Sequence, residues 1–282
     1  MAQQTLSALT SLKDQSNKGG QKMARQCSVY LITGGRFHDT NFAKQELLRL
    51  IQQLDVSCIE VGSDFSETKQ ILDSDFLITY TCDVRPTVNQ QKTLKKFIER
   101  GGRWFALHGT NSLLDFDTTN GPIEAFGVTI PGFPFAPNLA PDYMKLLGTR
   151  FVTHPPIQPF EVTVTQPNHP LVHGITDFIT EDEPYCCEIV ADINILLASR
   201  YDGKSMSELP EGWENPEAVH PQMYLRELGD GEILYLMLGH CCGQFDMQPI
   251  MDECDTVKCN WDLPVYYTLL ERGLAWGVSG KY

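Results

Sequence analysis

The run Gly101-Gly102-Arg103-Trp104-Phe105-Ala106-Leu107-His108-Gly109-Thr110 constrains this chain more than any other. Trp104 to Leu107 is continuously apolar, the pattern of a strand buried on both faces of a parallel sheet. Just before it, Leu94, Phe97 and Ile98 recur at helical spacing among Lys95, Lys96, Glu99 and Arg100. Helix, Gly-Gly, buried strand and sharp turn make half of a βαβ unit. Ligands of open α/β sheets bind beyond the carboxyl ends of the strands, and His108 stands at such an end. Gly109 permits a strained turn that would expose the imidazole, as strand-elbow-helix enzymes expose a nucleophile.

The same rhythm runs from Cys27 to His108. Cys27–Thr33, Ser57–Val61 and Phe76–Tyr80 read as strands, and Asn41 to Gln53 as a helix capped by Asp39, Thr40 or Asn41. Ser66–Leu72 is a short connection. Pro86 is placed to open the helix that leads to His108. These repeats predict an α/β, flavodoxin-like, doubly wound and mostly parallel sheet with helices on both faces. Residues 1–26 form a polar tail, and 27–282 one domain. A Pro/Gly-rich insertion at 111–150 is expected to be a lid with one helical turn around Pro122–Phe126. Further strands are expected at Phe160–Thr165, Cys187–Val190 and Ile195–Ser199. Asp202–Pro221 is a polar loop. Gly229-Asp230-Gly231 turns a hairpin between Gln222–Leu228 and Glu232–Leu238, and a last helix spans Pro264–Trp276.

Composition excludes some functions. The net charge of −14 argues against nucleic acid and against an anionic membrane surface, since both need a basic footprint. No apolar run approaches the ~20 residues of a membrane span. The nine cysteines contain no C-x-x-C, and adjacent pairs such as Cys186-Cys187 rarely bridge. Reduced thiols in a cytoplasmic protein are expected. Cys254 and Cys259 lack zinc-ribbon spacing. No G-x-G-x-x-G, Walker or G-x-S-x-G motif occurs, so nucleotide binding and a serine nucleophile are unsupported.

The histidines carry more. His108 and His240 each end an apolar strand, and His38 follows the first strand within a few residues. Strand ends on one rim would bring the three together. Glu183, in Asp182-Glu183-Pro184-Tyr185, is the best partner carboxylate, although an acidic run is often only a solvated turn. Imidazoles with a carboxylate bind a divalent metal such as zinc or manganese, or act as a general acid–base couple. His108, His240 and Glu183 are the candidates for either role, and local spacing does not choose between them.

Taken in order, seven stretches resemble the ThuA-like (trehalose utilisation) family, which shares the class I glutamine amidotransferase architecture. They are Gly34-Gly35-Arg36-Phe37-His38-Asp39, the strand ending at His108-Gly109, and Phe151-Val152-Thr153-His154-Pro155. They continue with His169-Pro170-Leu171-Val172-His173-Gly174-Ile175, Asp182-Glu183-Pro184-Tyr185, Leu238-Gly239-His240 and Leu270-Glu271-Arg272-Gly273-Leu274-Ala275-Trp276. The resemblance implies that His108 occupies the position of the amidotransferases' catalytic cysteine, which removes glutaminase activity. It also implies carbohydrate metabolism: hydrolytic or eliminative cleavage of a keto-glycoside. In that reading His38 and Asp39 orient substrate hydroxyls, His154 contributes from the insertion side, and Tyr185 stacks on or bonds the sugar. Gly231-Glu232 departs from the family's Gly-Arg. The expected partner is a small sugar-like ligand, with self-association into a homo-oligomer allowed. The alternative is a non-catalytic sugar-binding or regulatory domain.

Overall fold

The computed structural model describes residues 26–125, 128–200 and 219–282; the polar tail and most of the Asp202–Pro221 loop lie outside them. The first strands are β1 (Cys27–Gly35), β2 (Val56–Gly62), β3 (Phe76–Cys82) and β4 (Arg103–Leu107). The insertion adds β5 (Asp115–Asp117), β6 (Ile123–Ala125), β7 (Val128–Ile130) and β8 (Phe133–Phe135), paired as two small antiparallel ribbons. Then come β9 (Thr149–Thr153), β10 (Gln158–Val164), β11 (Phe178–Asp182), β12 (Cys186–Ile189), β13 (Asn194–Arg200), β14 (Val219–Leu228) and β15 (Gly231–Leu236). The helices are α1 (Thr40–Ile51), α2 (Thr68–Asp73), α3 (Val88–Glu99), α4 (Pro141–Leu147) and α5 (Pro264–Ser279).

Among the described residues, nine strands form one sheet in the order β11-β10-β13-β14-β15-β4-β3-β1-β2. The five from β15 to β2 pair in parallel. The four pairings from β15 to β11 are antiparallel. Alternating direction through those pairings turns β13 and β11 the same way as the parallel five. The carboxyl ends of β1, β4, β15 and β11 therefore share one rim, the side where ligands of such sheets bind.

Both faces are covered. Val29 and Leu31 of β1 join one core cluster with Leu47 of α1 and Leu270 of α5. Tyr30 and Ile32 join the other with Ile71 of α2, Leu94 of α3 and Met144 of α4. This period-2 alternation between two apolar layers explains the uninterrupted apolar runs of the parallel strands. Helix α5 lies so close to β4 that a Cβ at Gly273 would come within 2.5 Å of the Phe105 ring. Asp39 caps α1 by accepting from the Phe42 N–H at 2.9 Å.

Several expectations change. Pro86 precedes α3 instead of opening it, because Thr87 and Gln90 form a reciprocal capping box. The Ser66–Leu72 connection contains α2, and the insertion holds strand β6 at Ile123–Ala125 where a helical turn was expected. Its helix is α4, begun by Pro141 and closed by left-handed Gly148 at φ 98°. The hairpin forms with Leu228 paired to Gly231 and Gly229 left-handed at φ 63°. Among the described residues no helix is long and apolar enough to cross a membrane.

Candidate functional site

Four strand ends deliver four side chains to one point. His38 follows β1, His108 follows β4, Glu183 follows β11 and His240 follows β15. One ligand atom from each lies within 4.8 Å of all the others, and all four residues are buried. The turn at β4 is strained, but not at Gly109. His108 itself is left-handed, at φ 45°, a costly backbone for a non-glycine residue. Gly109 serves close approach instead: a Cβ there would sit 2.9 Å from the Thr81 carbonyl and from Cys82 Cβ. His108 is also fully buried rather than exposed.

Hydrogen bonds set the tautomers. His38 Nδ1 lies 3.1 Å from the Arg36 carbonyl, and His108 Nδ1 lies 2.8 Å from the Met237 carbonyl. A carbonyl only accepts, so each Nδ1 carries a proton, and in the neutral ring each Nε2 is a bare lone pair. The two Nε2 atoms face each other at 2.8 Å. Glu183 Oε2 is 3.4 Å from His108 Nε2 and 3.1 Å from His240 Nδ1, which is buried and makes no well-aligned hydrogen bond. Its other oxygen, Oε1, is 3.6 Å from Nε2 of the partly exposed His154. Tyr185 Oη stands 3.3 Å from His108 Nε2, and its ring packs on the rings of His108 and His154.

Charge follows from these contacts. Burial alone would raise Glu183, but the surrounding imidazoles, His154 and His240 first, hold its carboxyl well below the ordinary range. Burial would lower His240; the Glu183 carboxylate outweighs it and pushes the ring up to about 10. His38 is held well below its ordinary value, by burial first and then by His108 and His240. Burial and the Glu183 charge raise Tyr185 far above the usual phenol, so it stays a neutral hydroxyl.

Sequence reasoning named all four members of the cluster, with His38 as a substrate contact rather than a ligand. It misplaced Asp39, whose carboxylate caps α1 and does not line the pocket. A solvated turn was its alternative reading of the acidic run that holds Asp182. Asp182 is fully buried and accepts from the N–H groups of Gly239 at 2.6 Å, His240 at 3.1 Å and Glu183 at 2.7 Å, and from the Asn260 amide. It locks the end of β11 to the loop that carries His240. Burial pushes its carboxyl up, against the pull of His108 and these donors. Pro184 between Glu183 and Tyr185 was the one local sign of a fixed backbone here.

A pocket of about 390 Å³ opens above the cluster, within the usual range for small-molecule sites. His38, His154, Glu183, Tyr185 and His240 line it, with His108 beneath.

The family model for trehalose utilisation, ThuA, matches residues 132–254, the stretch that holds His154, Glu183, Tyr185 and His240. No curated protein sequence matches significantly. Among solved structures, a protein described as ThuA-like from Bacteroides uniformis aligns with a TM-score of 0.58 at 17% identity, over 90% of this chain and 91% of its own. Another from Parabacteroides merdae aligns with a TM-score of 0.54 at 16% identity, over 91% of both chains. At such identities the structural likeness speaks for the fold. With the family match lying across half of the buried cluster, this chain is similar to the ThuA-like family over residues 132–254.

Proposed function

We propose that the protein is an enzyme acting on a sugar-derived carbonyl compound at a divalent transition metal held by His38, His108, Glu183 and His240. The observation that carries this reading is the 2.8 Å approach of two Nε2 lone pairs. A cation between them relieves that repulsion. A shared proton would need one ring as imidazolium, and burial together with the neighbouring imidazoles opposes this at His38. Two imidazoles on one tetrahedral zinc place their nitrogens about 3.3 Å apart, by the usual zinc–nitrogen distance. Three imidazoles and a carboxylate suit zinc or manganese. The Arg36 and Met237 carbonyls fix the ring orientations, as partners of metal-bound histidines do.

A metal here supplies Lewis-acid polarisation of a carbonyl or hydroxyl oxygen. The chain supplies the rest. His154, partly exposed and beside Glu183 Oε1, takes or gives a proton at the pocket side. Tyr185 donates from a hydroxyl that stays protonated. The family's trehalose link supports a keto-glycoside as the carbonyl compound. All nine cysteines are free, as suits the cytoplasm.

The test is metal analysis joined to turnover of a panel of keto- and unmodified glycosides. About one zinc or manganese per chain is expected. A chelator removes turnover and the metal restores it. His108→Ala loses the metal and lowers the rate by roughly 10²–10⁴. Full turnover by metal-stripped protein contradicts the metal. Saturable binding with an unchanged ligand would replace the enzyme by a binding module.

A further inference from the structure

The walls of the pocket differ from its floor. Polar groups gather at the cluster end, where His154, Glu183 and His240 are joined by Ser112 and Thr153. Away from it two segments close the cavity with apolar side chains. The insertion contributes Ile130, Phe133 and Phe135, and the loop after β15 contributes Met247, Ile250, Met251 and Val257, with the exposed Asp255 beside them. Phe133 and Phe135 keep 43% and 42% of their surface exposed, and the four apolar loop residues are half-buried. Apolar surface left open to water gains by being covered.

A two-ring polyol does not fit this distribution. One ring could spend its hydroxyls on the floor, but the second would lie against phenylalanine and methionine. Each hydroxyl buried without a partner weakens binding by roughly tenfold. Flat apolar groups gain there instead, because phenyl edges and thioether sulfurs favour aromatic faces.

Resting on the proposed metal site, we infer that its ligand is a molecule with a polar, metal-binding head and an aromatic tail, such as an aryl-substituted sugar or carbonyl compound, and not an unsubstituted disaccharide. The head occupies the floor at His38, Glu183 and His240. The tail lies between Phe133 and Phe135 on one side and Met247 and Met251 on the other. The insertion and the loop after β15 thus select the tail, while the strand ends act on the head.

Two hydroxamates test this, because both present the same metal-binding head. Acetohydroxamate has a methyl tail, and 3-phenylpropionohydroxamate has a phenyl tail. Affinities are measured by calorimetry on the full chain, loaded with zinc and stripped by chelator, with metal content assayed in parallel. The phenyl probe should bind the loaded protein roughly 10–100-fold more tightly than the methyl probe, by the area its ring removes from water. The surface variants Phe133→Ser and Met251→Ser should each cut that ratio several-fold. Equal affinities in protein that carries zinc overturn the inference and leave the metal reading intact. An undiminished ratio in both variants also overturns it, since the tail then lies elsewhere. Protein that takes up no zinc overturns the metal reading and this inference with it, and the metal assay identifies that case separately.

Discussion

The floor and the walls of the pocket reverse the usual order of a globular protein. On the floor, His108, Asp182 and Asn260 are fully buried, and His38, Glu183 and His240 nearly so. On the walls, Phe133 and Phe135 remain substantially exposed. Buried polar groups cost free energy unless their partners are in place, and exposed phenylalanines forgo what burial would contribute. Both anomalies lie within one cavity, and the two proposals answer them: a cation on the floor and an apolar tail at the walls. The difference between them is how they are held. The floor is tied to four strands through Asp182 and through backbone carbonyls, whereas the walls hang from short ribbons and a loop. Floor substitutions should therefore disturb folding and metal together, and wall substitutions only the ligand.

The largest expected effect is at Asp182. Asp182→Ala removes the acceptor of four buried donors, the Gly239, His240 and Glu183 N–H groups and the Asn260 amide. At the lower end of roughly 1–3 kcal/mol for each orphaned group, the loss should come to about 4 kcal/mol. Urea unfolding at neutral pH reads it directly. A loss below 1 kcal/mol would mean the floor is not held by Asp182.

Next is the pH dependence of the Glu183–His240 pair in metal-free protein. His240 holds its proton more tightly folded than unfolded. Its contribution to stability is whole below its ordinary 6.5 and disappears as pH rises through about 10. Glu183 is depressed, so its contribution is whole above its ordinary 4.5 and is lost as pH falls through its lower folded value. Glu183→Gln should therefore be least stable relative to wild type near pH 6, with the gap closing toward pH 10. Unfolding midpoints of both proteins across that range check this. A gap independent of pH would show that the pair is not ionic.

The smallest effect belongs to the walls. Phe133→Ser should change stability by no more than about 0.5 kcal/mol, as exposed substitutions do, and should leave metal content unaltered. Thermal unfolding with metal analysis measures both. Loss of metal in this variant would erase the division between floor and walls.

The two regions were also unequally legible in the sequence. The parallel half was readable because a strand covered on both faces is an unbroken apolar run, as in Trp104–Leu107. The three histidines were readable because strand ends in such a sheet share a rim. Strand β11 was hidden, since Glu181 and Asp182 look solvated until donors from Gly239 and Asn260 arrive from 57 and 78 residues away. Helix α4 was masked by the prolines around it, although Pro141 suits a first turn. Asp39 looked like a site residue because it adjoins His38, but the same carboxylate serves α1 equally well. The apolar walls could not be foreseen, because no local pattern says that Phe133 and Met251 face one cavity.

Anomalous diffraction from crystals grown with zinc or manganese tests the central claim most directly. The account predicts one ion per chain, at roughly 2.0–2.2 Å from at least three of His38, His108, Glu183 and His240, with the His38 and His108 Nε2 atoms moved apart. Crystals without an anomalous peak at this position, with the two Nε2 atoms still in contact, would contradict it.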